Sequence, residues 1–203
     1  GFSGLYWVIN AGSKSDFTLK QYHRYQEVIN ILKDKYQFVQ IGVPEHNHPA
    51  LEGVLDMRGK TNHRELYRLI YHADGVVTCV SYPMHIAAAL KKPCVVVAGG
   101  REGTRWELYP NHRFLHTNGA LNCCQYDGCW KSNIDECVNP INVGFEHGPA
   151  LDGVPEANAQ LGREIMVPKC MEIIKPSMIA EAVEMYYEGG ILNREKEMQN
   201  VHD

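Results

Sequence analysis

Apolar runs alternate with amphipathic stretches along the first 118 positions. Leu5 to Asn10 (LYWVIN) is a short apolar run closed by Ala11-Gly12-Ser13, which predicts a buried strand ending in a turn. From Thr18 to Lys35, Leu19, Tyr22, Val28, Ile29 and Leu32 fall largely on one helical face. Phe38 to Val43 reads as the next strand, after which Pro44 and Pro49 break the chain. Asn62 followed by Glu65 forms a capping-box pattern, and the helix behind it should bury Leu66, Leu69 and Ile70. Gly75 to Val80 is a third strand. Pro83 opens a helix through His85, Ala87, Ala88 and Leu90. Cys94 to Ala98 is a fourth strand ending in Gly99-Gly100, and Arg113 to His116 a fifth.

Strands alternating with helices predict parallel pairing, and strands that are apolar throughout predict a sheet covered on both faces. The expected fold is α/β, a Rossmann-like parallel sheet flanked by helices. After Gly119 the pattern lapses. Residues 120–172 hold five of the seven cysteines and few periodic segments, so they read as a Cys-rich loop inserted in a domain spanning 1–190. A last helix from Ser177 to Glu188 should pack Ile179, Val183 and Tyr186 or Tyr187 and stop at Gly189-Gly190. The polar stretch 191–203 reads as a frayed tail.

Composition narrows the function classes. The 203 residues are 44% hydrophobic and carry a net charge of −4, so a core can form and no basic footprint for nucleic acid exists. No apolar run approaches the roughly 18 residues of a membrane span. The absence of a signal-peptide pattern and the α/β character point to a cytoplasmic chain in which cysteines serve as core residues, metal ligands or reactive groups.

Ligands of open parallel sheets bind at the carboxyl ends of strands, near helix N-termini. Three segments occupy such places. Asn10 to Lys20 joins a strand to a helix through small and hydroxyl-bearing residues, where Ser13, Thr18 and a lysine can surround a phosphate; G-x-x-x-x-G-K is absent, so it is no P-loop. Glu45, just past the second strand, can accept hydrogen bonds from a ribose diol. Ser81 to His85 puts a hydroxyl and free N–H groups at a helix start. The alternatives are an ordinary turn, a solvated glutamate, and a serine cap beside a packing histidine.

Together these segments resemble the C-terminal, donor-binding half of glycosyltransferase family 9, the heptosyltransferases. The family has N-P-G and then K-x-W where this chain has Asn10-Ala11-Gly12 and Lys20-Gln21-Tyr22. Asp56 to Leu69 (DMRGKTNHRELYRL) is similar to the family's GKTSLRELAAL segment. Ala73-Asp74-Gly75-Val76-Val77 leads a strand as it does there, Met84 to Ala89 matches the His-x-A-A-A helix, and Arg101 to Pro110 looks like the following loop. The resemblance implies one half of a GT-B glycosyltransferase that holds an ADP-heptose-like nucleotide sugar. It assigns the donor phosphates to Lys20 and Ser81, with Ser13 and His85 beside them, and the ribose to Glu45. It also implies inverting transfer, with a carboxylate base on a separate acceptor-binding domain. The family's Asp-[Ser/Thr]-Gly is Val80-Ser81-Tyr82 here, which loses an acid and a glycine. That departure supports a rival reading, a nucleotide-binding or assembly module without catalysis.

Cys124, Cys129, Cys137 and Cys170 are separated by 4, 7 and 32 residues, and such thiolates can surround one tetrahedral ion. Cys123 could replace Cys124. Autotransporter heptosyltransferases of the same broad family carry a similar cysteine finger that holds iron, so a structural zinc or iron is expected. A disulfide such as Cys124 with Cys129, unlinked thiols, or a metal-bearing interaction protein using the fold as scaffold are the alternatives. Cys79 and Cys94 read as core residues. The oligomeric state stays open, a homo-oligomer included.

Overall fold

The computed structural model describes residues 5–43, 45–46, 48–146 and 163–188. Six strands form one parallel sheet: β1 (Tyr6–Asn10), β2 (Gln37–Ile41), β3 (Leu55–Asp56), β4 (Gly75–Cys79), β5 (Cys94–Gly99) and β6 (His112–His116). Their order across the sheet is β3-β2-β1-β4-β5-β6, with every neighbouring pair parallel. This is the doubly wound Rossmann order, and the chain reverses its direction of travel between β1 and β4. Among the described residues no helix is long and apolar enough to cross a membrane.

Both faces of the sheet are covered, which is why β1, β4 and β5 are buried at every position. Side chains alternate between faces. Trp7, Ile9, Val77, Val95 and Val97 pack against Val28, Ile29 and Leu32 of helix α1 (Tyr25–Leu32) and against the final helix. Val8, Val39, Val76 and Val96 pack on the opposite face with Ile70 of α2 (His63–His72) and Met84 and Ala87 of α3 (Tyr82–Ala89). The Asn62–Glu65 capping box is present in both directions, at 3.0 and 2.9 Å. Ile70 is buried, whereas Leu66 and Leu69 are half-buried. Cys79 and Cys94 are core residues.

Three elements differ from the sequence expectation. The single helix expected from Thr18 to Lys35 is a 3-10 segment, Ser15–Lys20, a break, and then α1. Phe17 is non-helical, and Leu19 N donates to Ser132 O at 3.2 Å, so a distant loop claims a donor the helix would have used. β3 is two residues long, too short to show a period. A short helix α4 (Thr104–Glu107) precedes β6.

Within 120–172 an antiparallel pair forms from β7 (Pro140–Glu146) and β8 (Arg163–Pro168), followed by α5 (Lys169–Ile173). Its register shifts between Asn142 and Phe145, which breaks the alternation that would have marked a strand. The last helix, α6, runs Pro176–Glu184 with proline in its first turn. Beyond it Tyr186 donates to Cys94 O (3.3 Å) and Asn111 O (2.6 Å), while Tyr187 bridges Trp7 Nε1 (2.8 Å) and Asp74 Oδ2 (2.9 Å). Gly189-Gly190 and the tail 191–203 lie outside the described residues.

Candidate functional site

The ends of β1 and β4 meet at the reversal point. Asn10 Nδ2 donates to Thr78 Oγ1 (3.1 Å) and Ser81 Oγ (3.0 Å), and those two hydroxyls are 2.9 Å apart. Ser81 Oγ also donates to Cys79 O at 3.2 Å. The serine side chain is spent on this strand-end network and makes no capping bond to α3, whose first residues, Tyr82 and Pro83, line the cleft; Pro83 has no N–H, and Met84 N donates to Ser81 O at 3.0 Å.

A cleft of about 530 Å³ opens here, within the size range of small-molecule sites. Ser13, Lys20 and Ser81, three of the residues singled out from the sequence, line it together with Asn10, Gly12 and Tyr82. Ser13 Oγ is buried without a hydrogen-bond partner among the described residues, a hydroxyl left over by the fold. Lys20 Nζ is anchored to Val80 O (3.2 Å) and Glu102 Oε1 (2.8 Å), with the Phe17 ring 5.3 Å away.

From the strand ends the cleft runs past Gly42 and Val43 to His46, His48, Thr61 and His63. The His48 ring fills the space above Gly42, where a Cβ would lie 2.6 Å from it. Burial lowers the His48 pKa to about 4, so the imidazole is neutral at neutral pH, and its Nδ1 has no partner among the described residues. Tyr82 is held by a 2.5 Å hydrogen bond to Tyr67 and an edge contact with His63.

Glu45 and His85 stand apart from this wall. Glu45 is exposed, two residues beyond Val43. His85 is exposed, hydrogen-bonds the Tyr109 hydroxyl at 2.9 Å, and is not among the residues lining the cleft. Sequence reasoning missed His46, His48, His63 and Glu102. The three histidines follow β2 and the unrecognised β3, and only the sheet order brings those loops to the cleft.

The second feature is the thiol loop. Cys123, Cys129, Cys137 and Cys170 line one cavity of about 20 Å³, beside Leu19 and Arg101, and Cys124 also touches it. All seven cysteines are unpaired thiols. Cys124 is buried, with Sγ donating to Thr117 O and Leu121 O, both at 3.4 Å; Cys123 Sγ instead accepts from Asn139 Nδ2 at 3.3 Å. Burial pushes the Cys170 thiol up to about 11. The donor chemistry suits a soft ion. The spacing does not yet: among the described residues no three His, Cys, Asp or Glu side chains are gathered closely enough to hold a metal.

Comparison with known proteins places this geometry. No curated protein sequence matches the chain significantly. Among solved structures, the dodecameric iron-containing heptosyltransferase TibC from enterotoxigenic E. coli, in complex with ADP-D-β-D-heptose, superposes with a TM-score of 0.60 at 18% identity over 93% of this chain and 46% of its own. E. coli ADP-heptose LPS heptosyltransferase II gives 0.57 at 17%, over 91% and 47%. A family 9 glycosyl transferase from Veillonella parvula gives 0.54 at 13%, over 89% and 45%. At such identities the likeness is one of fold, a Rossmann-like half of the GT-B type, and the chain spans just under half the length of these proteins. The model of glycosyltransferase family 9 (heptosyltransferase) matches residues 6–126. That match takes in more than half of the chain, all six parallel strands and every cleft-lining segment, and the chain therefore belongs to glycosyltransferase family 9.

Proposed function

We propose that this chain holds the nucleotide diphosphate part of a sugar donor, ADP-heptose-like, for inverting transfer to an acceptor. The observation that carries the reading is the meeting of Lys20, the unpartnered Ser13 hydroxyl and the start of α3 in one cleft at the reversal point. When the donor's bond between anomeric carbon and diphosphate oxygen breaks, negative charge grows on the leaving diphosphate. A fixed ammonium and the positive end of the α3 dipole stabilise that charge. Glu45 is assigned the ribose, and His85 a place beside the phosphates. The base and acceptor site belong to a second half, in keeping with solved relatives about twice as long.

Calorimetry with ADP, UDP and GDP tests the reading. Binding of ADP that Lys20→Ala weakens tenfold or more is the expected result. Absence of any diphosphate binding at millimolar concentration overturns it.

The thiol cavity is read as a structural iron or zinc site, with Cys129, Cys137, Cys170 and, by its orientation, Cys123 in place of Cys124. Bound metal would clamp the loop and supply folding energy. Elemental analysis after purification without a metal-affinity step should find one ion per chain. A folded chain that accepts none ends the idea.

Tyr82 in the cleft wall favours a second reading, a nucleotide-binding module without transfer. Under it, ADP-heptose binds no tighter than ADP, and Tyr82→Gly makes room for the sugar.

A further inference from the structure

After β5 the chain turns inward. Arg101 is 8% and Glu102 only 1% exposed. A carboxylate so deep is costly unless cations meet it. Two do, and both use one oxygen: Lys20 Nζ lies 2.8 Å from Glu102 Oε1, and Arg101 Nη1 donates to the same atom. Oε2 is buried with no hydrogen-bond partner among the described residues, so all of the carboxylate's side-chain pairing runs through Oε1. The Phe17 ring sits under both, 5.3 Å from Lys20 Nζ and 5.3 Å from Arg101 Cζ.

Glu102 does not depend on Lys20 for its own position. Its carbonyl accepts from Asn118 Nδ2 at 2.9 Å. Arg101, one residue earlier, is tied to the thiol loop through its Nε on Lys131 O and through Trp130 N on its own carbonyl at 3.1 Å. Lys20, by contrast, hangs from a short 3-10 segment, and its other contact is Val80 O at the end of β4. The rigid partner is the glutamate, and the guided one is the lysine.

We propose that Glu102 is the positioning residue for Lys20, fixing the ammonium at Val80 O in the cleft wall before a diphosphate arrives. The inference rests on the donor reading of the cleft. A lone lysine would supply the same charge, but its flexible stem would have to be ordered by the ligand. With Glu102 that ordering is complete in the free protein. The trio carries two positive charges and one negative, so one positive charge remains for the incoming anion.

The carboxylate also repels a phosphate, and this opposing effect makes the proposal testable. Glu102→Asp keeps the charge but falls one methylene short of Lys20. Glu102→Gln keeps the length and drops the charge. Each is made in the full chain with Lys20 intact and in a Lys20→Met background. Affinity for ADP and for inorganic pyrophosphate is measured by calorimetry, alongside the unfolding temperature. The expected result is about a tenfold loss for Glu102→Asp that disappears in the Lys20→Met background, since contacting residues couple. Unchanged affinity, or an equal loss in both backgrounds, overturns the proposal. Should Glu102→Asp fail to fold, Glu102→Gln decides. A loss confined to chains with Lys20 supports positioning, and a gain shows that Glu102 only repels the anion. A parent chain that binds neither probe overturns the donor reading as well, whereas a parent that binds and variants that match it overturn this inference alone.

Discussion

The sheet and the thiol loop are held together in opposite ways. The sheet buries whole strands: Trp7, Val8 and Ile9 of β1 and Cys94 to Val97 of β5 are fully enclosed between two helical layers. The loop from Asn118 to Glu146 buries, among its described side chains, only that of Cys124, and leaves Tyr126 85% and Val138 61% exposed. It is held by hydrogen bonds to the sheet domain. Cys129 N donates to Gly100 O (3.1 Å), Trp130 N to Arg101 O (3.1 Å) and Ile134 N to Thr18 Oγ1 (2.9 Å), and Ser132 O accepts from Leu19 N. One region contributes stability and the other borrows it. The borrowed region touches the residues around Lys20, so loosening it should change ligand affinity before it changes global unfolding.

The largest expected effect is in the sheet. Trp7→Ala removes a fully buried ring that also donates to Tyr187 and fills the space beside Gly75, where a Cβ would lie 2.5 Å from it. A loss of about 3–5 kcal/mol is expected, or roughly 10 °C in unfolding temperature. Calorimetry should show loop and sheet unfolding together. A loop that keeps its hydrogen-exchange protection after the sheet has melted would break the comparison.

A smaller and local effect is expected in the loop. Gly128 has φ +96°, and a Cβ there would lie 2.3 Å from Arg101 O. Gly128→Ala should therefore cost about 1–3 kcal/mol, spent on detaching the loop rather than on opening the core. Amides of Cys129 and Trp130 should exchange faster while those of β1 and β4 stay protected. ADP should bind more weakly through the loss of support at Leu19. Equal deprotection of β4 would show that the loop is part of the core after all.

The same contrast explains what could be read in the chain. β1, β2, β4 and β5 were legible because a strand buried on both faces is a continuous apolar run; Ser13 and Ser81 stood out because they follow strand ends, and Lys20 through the family resemblance. β3 has two residues and no period. β7 and β8 are far apart in sequence and pair with a register shift. Just before the break that precedes α1, Leu19 N donates to Ser132 O, more than a hundred residues away, a contact no local pattern announces. Adjacent thiols are equivalent in spacing; both Cys123 and Cys124 reach the cavity, and it takes the structure to show that Cys124 Sγ donates to Thr117 O and Leu121 O while Cys123 Sγ accepts from Asn139. Nothing in the sequence marks Glu102, because Lys20 and Arg101 converge on it only in the fold.

Acid should act most gently of all. His112 at the start of β6 and His48 in the cleft are both lowered to about 4, chiefly by burial, and neither His112 nitrogen has a partner among the described residues. The folded state holds these imidazoles neutral, while the unfolded chain takes up protons near the ordinary 6.5. Stability contributed in this way is complete above about pH 6.5, falls as the pH drops toward about 4, and is lost below that. About 1 kcal/mol per imidazole corresponds to roughly 2–4 °C each. The described part of the loop has no histidine. Its perturbed carboxylate, Glu136, is lowered by the backbone N–H groups of Ser132 and Asn133, and its contribution fades only below the usual carboxylate range. Unfolding temperature should therefore decline first between pH 6.5 and 4, with loop and sheet protection falling together because the sheet supplies both. His112→Leu should flatten that slope by about half and leave the steeper decline at lower pH in place. An unchanged slope in His112→Leu would place the early acid sensitivity outside the edge of the sheet.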